Sequence, residues 1–191
     1  MLVDGDVTIF DSQAIAMYLV EKYAKTDVLY PKDDLLLRTK INERLFFIAS
    51  YMFPRVFQIF VSVFDISVLI EFFFNKVPMP LQVPVFLGQD TEISQTKKDG
   101  ILRGYGSIEA FFEGDNEYLC TDHITLADLS LWCGTESFMQ LIPIDDSKFP
   151  KYLKWVKLMR KLPWWGINKA GAAEHVGAFR ICLERNIATK L

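Results

Sequence analysis

Asp11, Ser12 and Gln13 stand where a strand pattern turns into a helix pattern, and they are the residues best placed for chemistry in this chain. A helix N-terminus offers unpaired N–H groups and partial positive charge, so a hydroxyl and backbone donors there form a natural seat for a carboxylate. The competing role for Asp11 or Ser12 is simply to cap the helix. A second pattern, Ile124-Thr125-Leu126-Ala127-Asp128-Leu129, is a structural one. Thr125 and Asp128 have the spacing of a capping box, and Ile124 and Leu129 that of a hydrophobic staple, so together they start a buried helix. Phe53, Phe57, Phe60 and Phe64 recur at helical spacing along one face. Such a stripe is more often core than pocket. His123 and His175 are far apart and have no acid or cysteine at ligand spacing, so no metal site is expected. Neither a glycine-rich phosphate loop nor a G-x-S-x-G motif occurs.

These residues need a frame to hold them. Val3, Val7, Ile9 and Phe10 favour strand, and Asp4-Gly5 between them signals a tight turn. A helix follows, with Ile15, Tyr18 and Leu19 on one face and an end near Tyr23. Residues 24–34 are turn-rich and contain Pro31, with Leu29 and Tyr30 as hydrophobic feet. From 35 to 64 the 3.6-residue period is sustained, with Asp33 or Asp34 as N-cap and a kink, not an end, at Pro54. The three prolines of 77–90 require a loop. Further helices are expected at 91–113, 126–139, 149–161 and 172–185. Tyr105 and Trp132 belong in the core, and the cysteines Cys120, Cys133 and Cys182 read as small buried hydrophobes.

Composition narrows the function classes. The chain is 51% hydrophobic with a formal charge of −3, and its Lys and Arg are scattered, so no basic field exists to attract nucleic acid. An odd cysteine count, no N-x-S/T sequon and acids within the first apolar stretch argue for the cytoplasm. Residues 56–74 approach bilayer-spanning length, but Asp65 at the centre costs roughly 2.5–3.5 kcal/mol on an insertion scale, so a buried helix is expected instead. No membrane partner follows.

Several motifs agree in order. DSQAIAMYLVEKY is followed by LYPKD, then RLFF at 44–47, then YLCTDHITLADLS. In this order they resemble a cytosolic glutathione transferase, most of all the insect delta and epsilon classes and epsilon in particular, in one register from residue 2 to about 162. The resemblance implies a mainly α protein: an all-helical C-terminal domain (35–191) after a linker (26–34), preceded by a two-strand-plus-helix remnant of a thioredoxin-like domain (1–25). It implies glutathione as co-substrate and no other cofactor. Asp11 would pair with the α-amino group of glutathione, Ser12 and its N–H would bind the α-carboxylate, and Gln13 stands where these classes often carry Arg or His. Phe53, Phe57 and Phe60 become candidates for an apolar wall around a hydrophobic electrophile, with Phe179 covering it.

The family reaction is attack by the glutathione thiolate on an electrophile, with a serine hydroxyl stabilising the thiolate. By this register, that serine and a cis-proline loop lie upstream of Met1, and none of Ser12, Ser50 or Ser107 has the spacing to replace it. The expectation is a protein that in its complete form conjugates glutathione to hydrophobic xenobiotics, as a homodimer through 13–24 and the start of the long helix. The alternative is a non-catalytic module that binds hydrophobic ligands or a protein partner.

Overall fold

Gly5, at φ 61°, opens a two-residue loop that joins β1 (Leu2–Asp4) to β2 (Val7–Ile9). Glycine takes that backbone angle without a Cβ penalty. The turn is thus centred on Gly5-Asp6, one residue later than Asp4-Gly5 suggests, because Asp4 is needed as a paired strand residue: Leu2, Val3 and Asp4 face Ile9, Thr8 and Val7 in antiparallel register. The computed structural model describes residues 1–63 and 90–190. Phe64, Asp65 and the expected proline-rich loop up to 89 lie outside the described residues.

The hairpin is fastened to α1 (Ser12–Tyr23) through one carboxylate. Asp4 Oδ2 accepts from Tyr18 Oη at 2.9 Å, Lys22 Nζ at 2.6 Å and Tyr23 Oη at 2.5 Å. These donors hold the Asp4 carboxyl down at about 2. Val3, Val7 and Phe10 remain exposed on the hairpin. The linker is stitched down by its two feet: Tyr30 is buried and donates to Asn42 Oδ1 at 2.8 Å, and the Leu29 carbonyl accepts from Leu126 N at 2.9 Å.

Asp34 caps α2 (Leu35–Phe47) by accepting from Leu37 N at 2.9 Å. The long helix then continues as a π-helical turn (Ile48–Met52) into α3 (Phe53–Val61). The helix runs on past Pro54, as expected, and the residues just ahead of it form this wider turn. Proline lacks an N–H and its ring crowds the carbonyl four residues back; the wider turn, in which Phe53 N–H reaches Ile48 O, makes room for it. Ile41, Leu45, Ile48, Met52, Val56 and Ile59 line the buried side of this composite helix.

Four more helices complete the described domain: α4 (Gln95–Phe111), α5 (Leu126–Leu141), α6 (Pro150–Met159) and α7 (Trp165–Lys190). Gly104 of α4 is a site of close approach, since a Cβ there would collide with Met52 Sδ and meet Tyr51 Cε1 at 3.2 Å. Glu109 of α4 caps α6 from outside, accepting from Lys151 N at 3.0 Å and Tyr152 N at 2.8 Å. Glu136 of α5 ties α6 and α7 together through Arg160, at 2.7 and 3.0 Å, and Trp165 Nε1, at 3.2 Å. The last helix exceeds its expected span of 172–185. Three glycines dilute its pattern, but Ala172, Val176 and Phe179 at i, i+4 and i+7 supply a buried face that outweighs their propensity.

The core holds Tyr105 and Trp132, as expected, together with Tyr152, Trp155 and Met159. Of the cysteines, Cys120 alone is fully buried, and burial pushes its thiol up to about 11. Cys133 and Cys182 correct the sequence expectation, for both reach the surface to some degree. No helix among the described residues is long and apolar enough to cross a membrane.

Candidate functional site

The strand-to-helix corner is built on an unusual backbone. Asp11 has φ 74° and ψ 127°, and is the one non-glycine residue with positive φ among those described. Such a conformation costs about 1–3 kcal/mol and persists only where the surroundings enforce it. Here Asp11 Oδ1 accepts from Gln13 N at 2.8 Å and Ala14 N at 3.1 Å, so the acid caps α1. Ser12 is exposed at the first helical position, where its N–H has no intrahelical acceptor. Among the described residues neither that N–H nor the Ser12 hydroxyl has a partner. The corner therefore presents an exposed carboxylate beside an N–H and a hydroxyl at a positive helix end.

Gln13 is placed differently from its two neighbours. Its side chain turns inward, is 6% exposed, and accepts from Ser130 Oγ of α5 at 2.9 Å. It begins the buried face of α1, which continues through the partly buried Ala16, Met17 and Val20. No pattern in the sequence paired Gln13 with a residue 117 positions away.

The phenylalanine stripe is graded in burial. Phe53 is partly buried and meets Phe138 edge to face at 6.2 Å, Phe57 is 39% exposed, and Phe60 is buried at 5%. Phe60 stacks on His175 with ring centroids 3.9 Å apart and meets Phe179 at 5.4 Å. Phe179 of α7 thus packs on α3, and His175 joins it. That contact was invisible in sequence, where His175 carried only the question of metal binding.

Comparison with known proteins decides the family. The family model described as glutathione S-transferase, C-terminal domain matches residues 68–163. An epsilon-class glutathione S-transferase of the housefly, Musca domestica, is 33% identical, with a TM-score of 0.71, over 94% of this chain and 72% of its own. The chain belongs to the glutathione transferase family. A glutathione transferase homologue of Drosophila mojavensis, solved with bound glutathione, is also 33% identical, with a TM-score of 0.71 over 93% of this chain and 70% of its own. A Bombyx mori glutathione S-transferase, unclassified 2, is 27% identical, with a TM-score of 0.72 over 96% of this chain and 72% of its own. The insect resemblance and the mainly helical fold with its small two-strand sheet stand on these matches.

In this glutathione transferase chain the capping box of α5 is closed, as its sequence requires. Asp128 Oδ2 accepts from Thr125 N and Thr125 Oγ1, both at 2.8 Å. Its other oxygen accepts from Leu119 N at 3.0 Å and Trp155 Nε1 at 2.8 Å, which binds the preceding loop and α6 to the same carboxylate. Burial pushes the Asp128 carboxyl up against the opposing effect of these donors. Ser50 and Ser107 hydroxyls bond back to the carbonyls of Phe46 and Arg103 in their own helices, at 2.7 and 3.3 Å. Both are committed to local structure.

Proposed function

We propose that the Asp11–Ser12 corner holds the γ-glutamyl end of glutathione. The protein would conjugate the glutathione thiolate to hydrophobic electrophiles. The observation that carries this reading is the unpartnered Ser12 N–H and hydroxyl at a helix N-terminus, next to an exposed carboxylate. A zwitterionic α-amino-acid end fits such a pair: donors for its carboxylate, an acceptor for its ammonium. Glutathione bound to a family member at 33% identity supports the choice of ligand.

Phe53 and Phe57, with Phe60 behind them, supply an apolar and partly exposed wall for the electrophile, closed on one side by Phe179. Exposed Leu19 and Tyr23 of α1, and Leu35, Leu36 and Phe46 of α2, support assembly as a homodimer. We place the protein in the cytoplasm.

The test joins two measurements on the purified 191-residue chain: retention on immobilised glutathione and conjugation of glutathione to an aryl halide. Retention with a rate no higher than the uncatalysed one fits a glutathione grip that lacks a thiol-activating hydroxyl. Conjugation well above the uncatalysed rate would show instead that a hydroxyl of this chain activates the thiol. Absence of retention would favour the non-catalytic module.

A further inference from the structure

The inward turn of Gln13 links the corner to the helical domain by a two-bond path. Ser130 Oγ of α5 donates to Gln13 Oε1 at 2.9 Å, and Gln13 N donates to Asp11 Oδ1 at 2.8 Å. The first bond joins residues 117 positions apart, and Gln13 is 6% exposed, so its end of the bond is held by packing. The second bond ends on the one non-glycine residue with positive φ among those described. A strained residue keeps its conformation only where neighbours over-determine it. The cap bonds constrain Asp11, and one of them is in turn tied through Gln13 to α5.

We infer that Gln13 is a positioning residue: it does not touch glutathione but sets, from Ser130, the conformation of the Asp11–Ser12 corner. This rests on the reading that the corner binds glutathione. It departs from that reading's simplest form, in which all three consecutive residues contact the ligand. Chemistry agrees with the geometry. Gln13 carries no charge to offer a carboxylate, and its side chain is buried against α5 rather than exposed beside Ser12. The bond also makes the corner sensitive to the seating of α1 on α5, so a shift of the helical domain at Ser130 would be felt at Asp11.

Ser130 distinguishes the two roles, because it lies on α5 and belongs to no proposed ligand contact. In the full chain, Ser130→Ala should weaken glutathione binding by about three- to tenfold, the range expected for one net hydrogen bond. Gln13→Ala should do the same, and the double variant should be no weaker than either single one. Ser130→Thr, which keeps the hydroxyl, should restore binding, which loss of general stability would not predict. Hydrogen exchange reads the coupling without ligand: Ser130→Ala should speed exchange of the Gln13 and Ala14 amides while leaving the core of α6 unchanged. Failure of wild-type chain to bind glutathione refutes the ligand reading, yet the exchange result still decides the coupling. Unchanged exchange at Gln13 and Ala14 in Ser130→Ala overturns the positioning role. So does a loss of affinity confined to Gln13→Ala.

Discussion

Replacing Asp128 by alanine removes the acceptor for four donors at one buried point: Leu119 N, Thr125 N, Thr125 Oγ1 and Trp155 Nε1. Each buried donor left unsatisfied costs about 1–3 kcal/mol, but the four share one site, so their costs will not add in full. A loss of roughly 3–5 kcal/mol is expected, which is a large part of the 5–15 kcal/mol typical of a folded domain. For a chain of this length that corresponds to a drop in Tm of roughly 6–20 °C. Asp128→Asn retains one oxygen in either amide orientation, so it keeps one pair of donors satisfied and turns its NH2 on the other. Its cost should be intermediate, about 2 kcal/mol. Trp155→Phe deletes a single donor and should partly mask the Asp128→Ala loss in a double-mutant cycle. Urea unfolding followed by circular dichroism gives all these values. An Asp128→Ala chain within about 1 kcal/mol of wild type would refute the view that this carboxylate joins the loop, α5 and α6.

Three further outcomes follow from particular contacts. The folded pKa of Asp4 lies below its unfolded value of 3.8, so the stability it lends the hairpin is present above that pH and lost as pH falls toward about 2. A carboxyl titration by NMR that finds Asp4 near 3.8 would contradict the three-donor clamp. Gly104→Ala gains about 1 kcal/mol of helix propensity but drives a methyl into Met52, and overpacking of that kind costs about 1–3 kcal/mol, so chemical denaturation should show net destabilisation. Phe60→Ala should cost about 3–5 kcal/mol because the ring is buried between His175 and Phe179, whereas Phe57→Ala, at a more exposed ring, should cost less and instead weaken binding of hydrophobic electrophiles.

What could be read from the sequence was local. The capping box at Thr125 and Asp128 depends on residues three apart, and the cap at Asp34 on the turn that follows it, so both were legible. That the helix is perturbed but not ended at Pro54 was legible as well, since proline's missing donor is a property of the residue. The form of the perturbation, a π turn over Ile48–Met52, was not. The length of α7 was hidden because its glycines weaken the pattern and only packing restores it. At the site, Asp11 and Ser12 were visible as consecutive residues at a helix start. The fate of Gln13 was settled by Ser130, and that of Phe60 by His175 and Phe179, all distant in sequence.

The grip on the γ-glutamyl end is tested most directly by calorimetric titration of the chain with two halves of glutathione. γ-Glutamylcysteine carries the α-amino and α-carboxylate groups that Asp11 and Ser12 would hold, and cysteinylglycine lacks them. γ-Glutamylcysteine should bind with most of the affinity of glutathione, cysteinylglycine should not bind measurably, and Ser12→Ala should weaken γ-glutamylcysteine by about tenfold, as expected for a hydrogen bond to a charged group. Equal binding of the two dipeptides, or an affinity for γ-glutamylcysteine unchanged in Ser12→Ala, would contradict it.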